Sequence, residues 1–571
     1  MMEALFTAAS IGNVMLKNRI IMAPMTTRLA TDEGFITDAT VAYFSARAAG
    51  GVGLVTVEMA SPERAGRHRA NELGIYDDRF LPGLRRLVDA LHGCGAKASI
   101  QLGHAGGHTR EDICGETPIA PSAVPHDVYE VIAKTIIPLE MSSRRIAQTV
   151  QAFVDAAHRA RLAGFDCIEI HGAHGYLLSQ FLCPQENIRH DEYGGVLENR
   201  ARFSLEILRR IKLALPDLAV IYRLSADDLF PQGLTFDEGI QVAKWAAQAG
   251  ADAIHVSAAH YRSLPSAEVM IPPMAYPEAT FLHYAARIKL EVDVPVIAVG
   301  RLGTPKLAAE ALESGHADFI ALGRSLLADP DWVNNVENGT PLRRCLSCNT
   351  CVNDMRSGRQ LECLVNPAAA HELQFPMDEI AVRNERICVL GAGPAGLSYA
   401  SLVAKGNHVT VIERENLPGG AFRLAGKAPQ FQEVAANQDS LTQYIRELER
   451  LCRNRNVTFL YGVDIEGQPE ILRDFDRVVI ATGARYRFGL NGLITFMLNR
   501  NWGKSWIAHK LFAQDSLLNW FYYNARKPTG QKYLQWTGAA QTVTVIGDAL
   551  RAGKSKEAIA SAYVAVFDGS T

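Results

Sequence analysis

Along the first 330 residues, short apolar, β-branched runs alternate with longer stretches whose apolar positions recur every three or four residues. Eight short runs stand out: Arg19–Pro24, Gly53–Ala60, Lys97–His104, Asp166–Ala173, Leu218–Ser225, Ala251–Ala258, Val294–Gly300 and Ala317–Gly323. A run that is apolar at nearly every position predicts a strand buried on both faces, as in a parallel sheet. The stretches between them, such as Ile146–Ala163 and Asn199–Leu215, have helical spacing and supply the crossovers parallel strands need. Eight β/α units in roughly 250 or more residues match a closed (β/α)8 TIM barrel. The rival, an open doubly wound sheet, usually has fewer strands and an early glycine fingerprint.

Function in such barrels collects at the carboxyl ends of the strands. That rule selects Thr26, Glu58, Gln101, His104, His171, His174, Arg223, His260, Arg301 and Arg324. The segment His171-Gly-Ala-His174-Gly-Tyr176 ends the fourth run. Its imidazoles can donate hydrogen bonds to a substrate oxygen, and its phenol can give up a proton. Satisfied core histidines or metal ligands are the alternative, but no acidic companion lies at metal-ligand spacing. Arg301 and Arg324 each follow a glycine after the seventh and eighth runs. Barrels commonly bind phosphate there, and a planar guanidinium suits it; a structural ion pair is the other reading.

Beyond residue 340 the pattern changes. Cys345, Cys348, Cys351 and Cys363 crowd into one stretch. Three thiolates from a compact loop plus a return ligand suit a 4Fe-4S cluster, with tetrahedral zinc as the alternative. A strand at Ile387–Leu390 then runs into Gly391-Ala392-Gly393-Pro394-Ala395-Gly396, and a second strand, Val409–Ile412, ends at Glu413, 22 residues past Gly391. In that context the glycines let backbone approach a pyrophosphate at a helix N-terminus, and Glu413 can bind ribose hydroxyls. A tight glycine turn without ligand is the competing reading. The Gly419-Gly420 pair, the strand Val478–Ala481 and a closing strand Thr542–Asp548 fit an FAD or ADP site better than a simple NAD site. Residues 487–540 differ: they hold four of the six tryptophans, seven Lys/Arg and one acid, Asp515.

The expected domains are therefore a catalytic barrel at 1–340, a cluster segment at 341–380, a Rossmann-like nucleotide domain at 381–486 with 541–571, and a basic aromatic insert at 487–540. A length of 571 residues suits two or three domains. A net charge of −3 points to no nucleic acid partner. No basic segment leading into an apolar core opens the chain, and no run reaches the roughly 18 apolar residues a membrane span needs. A cytoplasmic protein without a transmembrane segment is expected. The ten cysteines are not spaced as a disulfide framework.

These residues also carry a resemblance. The stretches Leu16-Lys17-Asn18-Arg19-Ile20, Ala23-Pro24-Met25, Gln101-Leu102-Gly103-His104, His171 to Tyr176, Gln180-Phe181-Leu182, Asn187, Asp191 to Gly195 and Glu198 to Phe203 resemble the old yellow enzyme family. With the cysteine segment and the C-terminal domain, the chain resembles the branch holding 2,4-dienoyl-CoA reductase and trimethylamine dehydrogenase. The resemblance implies a bound FMN, with Pro24, Met25, Thr26 and Ala60 against it. It implies Gln101 at the pyrimidine edge, Arg223 near the N1/O2 end, and Gly300, Arg301, Gly323 and Arg324 around the phosphate. His171 and His174 match positions that grip a substrate oxygen. Tyr176 matches the proton donor, and His260 looks like a second acid/base group. Gly391, Gly393, Gly396, Glu413, Gly420 and Asp548 would hold FAD or ADP.

The chain also departs from that pattern. Gly107 stands where the family often has arginine, and no cysteine lies near Thr26 to tether a flavin. Met59 and Met355 stand where an aromatic cage for a methylated amine would be. Residues 487–540 are too short for a second βαβαβ fold, since one βαβ unit already takes about 30 residues. That insert could dock an electron-transfer protein or a membrane surface, or simply cap the domain with amphipathic helices.

The first expectation is an ene-reductase for a small α,β-unsaturated carbonyl or enoyl thioester, protonated by Tyr176 or His260. The second is an amine dehydrogenase that passes electrons through the cluster to an external acceptor. The third is a scaffold that has lost turnover. A homo-oligomer is expected.

Overall fold

The apolar runs become the staves of a closed barrel in a computed structural model that describes residues 2–128, 134–377, 380, 383–487, 491–506, 508, 510, 515–538 and 541–567. The strands are β1 (Ile20–Met22), β2 (Leu54–Ser61), β3 (Lys97–Leu102), β4 (Cys167–Gly172), β5 (Ala219–Ser225), β6 (Ala253–Ser257), β7 (Val296–Ala298) and β8 (Phe319–Leu322). All pair in parallel, and β1 bonds to both β2 and β8, so the sheet closes without an edge. Strands β2, β4, β5 and β6 are buried along their whole length. Ile21, Leu54, Cys167, Ile221, Ile297 and Phe319 meet in one apolar cluster, joined by Ile11, Val14 and Leu16 of an N-terminal hairpin.

The crossovers are α1 (Asp38–Ala49), α2 (Leu81–Gly93), α3 (Ser143–Ala163), α4 (Leu197–Ala214), α5 (Phe236–Gln248), α6 (Leu282–Lys289) and α7 (Pro305–Glu313). Their ends follow local chemistry. Ser142 accepts the Arg145 N–H at the start of α3, and Gly164 stops it at φ +96°. Thr235 and Glu238 form a capping box on α5. On α2 the residues Leu84, Leu87, Val88 and Leu91 form the buried stripe.

By contact density the chain divides into two units: Met1–Pro272, Tyr276–Leu326 and Val352–Leu361 in one, and Pro273–Ala275, Leu327–Cys351 and Glu362–Thr571 in the other. The second unit is built on a five-stranded parallel sheet. Its strands are β9 (Arg386–Leu390), β10 (His408–Glu413), β11 (Thr458–Tyr461), β12 (Arg477–Ile480) and, after a hairpin of β13 (Ala484–Tyr486) with β14 (Arg526–Pro528), β15 (Thr542–Val545). The order is β11-β10-β9-β12-β15. Helices α8 (Pro394–Val403), α9 (Gln438–Asn454) and, at the end, α12 (Ser555–Phe567) pack with it; α10 (Asn491–Asn499) and α11 (Asp515–Tyr523) belong to the insert.

Two details differ from the sequence expectation. Strand β11 alternates exposed and half-buried positions, so it lacks the continuous apolar run that marks its neighbours. The closing run stops at Val545, because Gly547 turns to φ +61° and begins a short 3-10 turn, Gly547–Ala549. Among the described residues, 487–540 hold helices and one hairpin strand rather than a βαβ unit. No helix among them is long and apolar enough to cross a membrane.

Candidate active site

Four barrel strands each contribute one polar side chain to a buried chain of contacts. Gln101 of β3 donates from Nε2 to Glu169 Oε1 of β4 at 2.7 Å, His255 Nδ1 of β6 lies 2.8 Å from Glu169 Oε2, and Arg223 Nη1 of β5 lies 3.9 Å from Oε1. Burial alone would push Glu169 upward, but His255, Arg223 and Gln101 outweigh it and hold the carboxylate below its usual range. Glu169 and His255 escaped sequence reading as site residues. Their only signal was a charged or polar residue inside an otherwise apolar strand.

Above this layer sits the histidine segment. His171 is buried and its Nδ1 meets no hydrogen-bond partner among the described residues; its ring is 5.3 Å from His174 and 4.9 Å from Tyr176. His174, at φ +68°, has Nε2 2.5 Å from Ser257 Oγ. Burial, then Arg223, keeps both imidazoles well below the usual histidine range, so they are neutral. The Tyr176 hydroxyl lies 3.0 Å from His68 Nδ1. His68 is positioned by Glu72, whose Oε2 accepts the His68 and Arg69 amides at 2.8 and 3.2 Å. His108 stacks on Tyr261 at 4.5 Å, and the Arg356 guanidinium lies 5.4 Å from the same ring. His68, His108 and Tyr261 come from separate loops, with no sequence motif to join them.

The positions expected around FMN also converge on the strand ends. Strand β2 changes register against β3 between Val57 and Met59, and Glu58 at this bulge accepts from the Thr27 amide at 2.8 Å and the Thr27 hydroxyl at 2.5 Å. Burial raises Glu58 to about 7 despite those bonds. Thr26 Oγ1 accepts from Arg69 at 3.2 Å, and Ala60 is fully buried beside Gly103, whose amide donates to its carbonyl at 3.2 Å. Gly323 faces Met25: a Cβ there would come 2.9 Å from the Met25 sulfur. Pro24 lies between Ala23 and Met25, just beyond β1. Gly300 takes φ +114°, which a β-carbon would not tolerate beside Phe281, and Arg301 follows at φ +57°. Arg301 donates to the Tyr276 carbonyl, and Arg324 donates to the Pro272 carbonyl at 2.9 Å. The residues fit a polar planar ligand: buried Arg223 Nε and His171 Nδ1 are donor or acceptor groups that the described residues leave unmatched.

Two sequence candidates have other neighbours. His104 lies 3.1 Å from Glu63, which also binds Arg145 at 2.8 Å; against the opposing pull of burial, these partners hold Glu63 down at about 2. His260 accepts the Arg262 amide on Nδ1 at 3.0 Å, and its Nε2 faces Glu186 at 3.5 Å. With Cys183 and Asp228 it forms the one set of three such donors within 4.8 Å of one another among the described residues. Cys183, Glu186, Asp228 and His260 thus form a buried polar knot beside the histidine segment, where His260 forms a backbone bridge with His174.

In the second unit, Cys348 is buried and Cys345, Cys351 and Cys363 are half-buried. Ser347 and Asn349, at φ +51° and +56°, curl the loop between them, and the Ser347 amide lies 3.3 Å from the Cys345 sulfur. Burial, then Cys345 and Cys348, pushes the Cys363 thiol up to about 12. Cys345 and Cys348 thus lie near enough to Cys363 to act on its charge, and such a set fits a metal or cluster that would take the thiolate charge. In the Rossmann turn, Gly391 is at φ +109°, and a Cβ on Gly396 would strike the Gly391 carbonyl. A Cβ on Gly393 would meet nothing within 4 Å, and Gly420 packs beside it. Glu413 accepts the Ala392 amide at 2.8 Å and the Glu415 amide at 2.9 Å. Asp548 pairs with Arg526 at 2.7 Å.

Comparison with known proteins agrees with this architecture. Residues 4–343 match the NADH:flavin oxidoreductase / NADH oxidase family, and residues 385–519 match the pyridine nucleotide-disulphide oxidoreductase family. The chain is 38% identical over 488 residues to an NADH oxidase of Thermoanaerobacter brockii, covering 84% of this chain and 73% of that protein. It is 32% identical over 444 residues to an N,N-dimethylglycine/sarcosine dehydrogenase of Chromohalobacter salexigens, covering 76% and 63%. It is 31% identical over 513 residues to a cinnamate reductase of Clostridium sporogenes, covering 85% and 75%. A 2-naphthoyl-CoA reductase structure shares the fold, with TM-score 0.86 at 22% identity over 99% of both chains. The chain belongs to the NADH:flavin oxidoreductase / NADH oxidase family: it is an oxidoreductase whose FMN-type barrel is followed by a nucleotide-binding domain of the pyridine nucleotide-disulphide type.

Proposed function

We propose that this enzyme reduces the C=C bond of an α,β-unsaturated carbonyl compound or enoyl thioester. The observation that carries this reading is the set of two neutral imidazoles and one phenol at the end of β4. Neutral His171 and His174 can donate N–H groups to a substrate carbonyl without placing a full charge there. Tyr176 is then the proton donor to the α-carbon, and its contact with His68 Nδ1 orients the phenol and steadies it once the proton has left. The name of the cinnamate reductase relative is in line with this chemistry.

Electrostatics favour it over amine oxidation. Apart from burial, the groups that depress His68 include the guanidiniums of Arg69, Arg28 and Arg356, while His108 is itself kept neutral by burial. That guanidinium charge supports a developing enolate more than a substrate ammonium. FMN, when bound, supplies the hydride chemistry, and a 4Fe-4S cluster supplies one-electron relay. Gln101, Arg223, Gly300, Arg301, Gly323 and Arg324 would hold FMN. Cys345, Cys348, Cys351 and Cys363 would hold the cluster. Three of the four cysteines fall in one run, Cys345-x2-Cys348-x2-Cys351, with Cys363 as a return ligand, a spacing that favours a cluster over tetrahedral zinc.

The test is anaerobic. Chemically reduced enzyme is mixed with cinnamate-type enoates, enones and enoyl thioesters, and the oxidised flavin band is followed. Recovery of the band on mixing is expected. Silence across the panel, with bleaching of oxidised enzyme by N-methyl amino acids, would replace this reading with the amine dehydrogenase.

A further inference from the structure

In the Rossmann sheet, β9 lies between β10 on one side and β12 and β15 on the other. The helix α8 begins at Pro394, directly after the glycine turn, so a pyrophosphate belongs over β9. Glu413, at the end of β10, places an adenosine ribose on one side. The second half of any dinucleotide would therefore have to cross the carboxyl ends of β12 and β15.

Those ends are already covered by the chain itself. Thr529 Oγ1 donates to the Gly483 carbonyl at 2.7 Å and lies 2.8 Å from Thr482 Oγ1, just past β12. Past β15, Arg526 Nη1 binds Asp548 Oδ2 at 2.7 Å while its Nη2 reaches the Tyr522 carbonyl at 3.0 Å and the Gly553 carbonyl. The other Asp548 oxygen accepts the Gly553 amide at 3.1 Å. The chain then passes so close that a Cβ on Gly530 would come 2.5 Å from Val545 and 2.6 Å from the Ala549 carbonyl. Strand β14 is itself anchored by its pairing to β13. The adenosine side is different: the space above Gly393 is open, and each Glu413 oxygen accepts one amide, leaving lone pairs for ribose hydroxyls.

We infer that residues 522–530 are a built-in plug, with Arg526 on Asp548 in place of a ligand's polar groups, so that this domain binds ADP or an ADP-sized nucleotide and excludes the flavin half of FAD. The insert that stands in the place of a second nucleotide fold thus closes half of the first one.

The test uses purified holoenzyme. Nucleotides released by acid are separated by liquid chromatography with mass detection, and the native protein is titrated with ADP and with FAD while its melting temperature is followed. The expected result is no FAD in the extract, a saturable rise in melting temperature with ADP, and binding of FAD about tenfold weaker or less. Glu413→Ala is expected to weaken ADP by about tenfold. FAD in the extract near one per chain, equal affinity for the two nucleotides, or no response to ADP overturns the inference. Arg526→Met should bring FAD affinity toward that of ADP; a folded variant that still discriminates as the parent does would remove Arg526 from the role. If that variant fails to fold, the parent titrations decide.

Discussion

The barrel and the Rossmann unit each present glycines, arginines and carboxylates at strand ends, yet they settle those charges in opposite ways. In the barrel, Arg223 Nε and His171 Nδ1 are buried with no hydrogen-bond partner among the described residues. In the Rossmann unit, Asp548 is neutralised by Arg526. A buried polar group left unmatched costs about 1–3 kcal/mol, so it persists where a ligand completes it. A group completed from within needs no such ligand. The difference teaches that similar strand-end chemistry can mark an open site or a closed one, and that partners decide which.

The largest effect that sharpens this comparison concerns the cysteine segment of the second unit. Cys363→Ser should abolish the cluster: iron and sulfide drop from about four each per chain, while extracted FMN stays unchanged. Full iron content in that variant would leave Cys363 outside the ligand set. Next, Tyr176→Phe should slow reoxidation of reduced flavin by an enone about 10²–10⁴-fold in stopped flow, the usual worth of a positioned general acid. Adding His68→Phe to Tyr176→Phe should cost nothing more, because His68 acts through the phenol; additive losses would break that link. Gly391→Ala should destabilise the Rossmann unit by about 1–3 kcal/mol in chemical denaturation, since its φ is +109° and a Cβ would press on the Ala481 carbonyl at 2.5 Å. The smallest effect is a flat line. Histidines held well below their ordinary range stay neutral as pH falls from 8 to 5, so His171 and His174 should add no acid limb to the enone reaction in that window. A loss of rate of about threefold on passing from pH 7 to 6, the change in neutral fraction of an ordinary histidine, would show that at least one of them titrates normally.

Much of this was legible beforehand, for a physical reason. Burial on both faces forces a strand to be apolar throughout, so all eight barrel strands appear in the chain as runs, and the βαβ turn appears as glycines because backbone must come close to backbone. His171, His174 and Tyr176 could be read because one strand end carries all three. Strand β11 was not legible, since a half-exposed strand has no such run. Neither was the contact of His260 with Glu186, a residue 74 positions earlier in the chain.

Local pattern thus settled the barrel, the nucleotide turn, the cysteine spacing and the family to which they belong, because each depends on residues adjacent in sequence. The approach of His68 to Tyr176, the gathering of Glu169, His255 and Arg223, and the seating of Arg526 on Asp548 depend on contacts between segments 22 to 108 residues apart. No local pattern encodes those distances; closure of the barrel and the return of the chain to the edge of the Rossmann sheet create them.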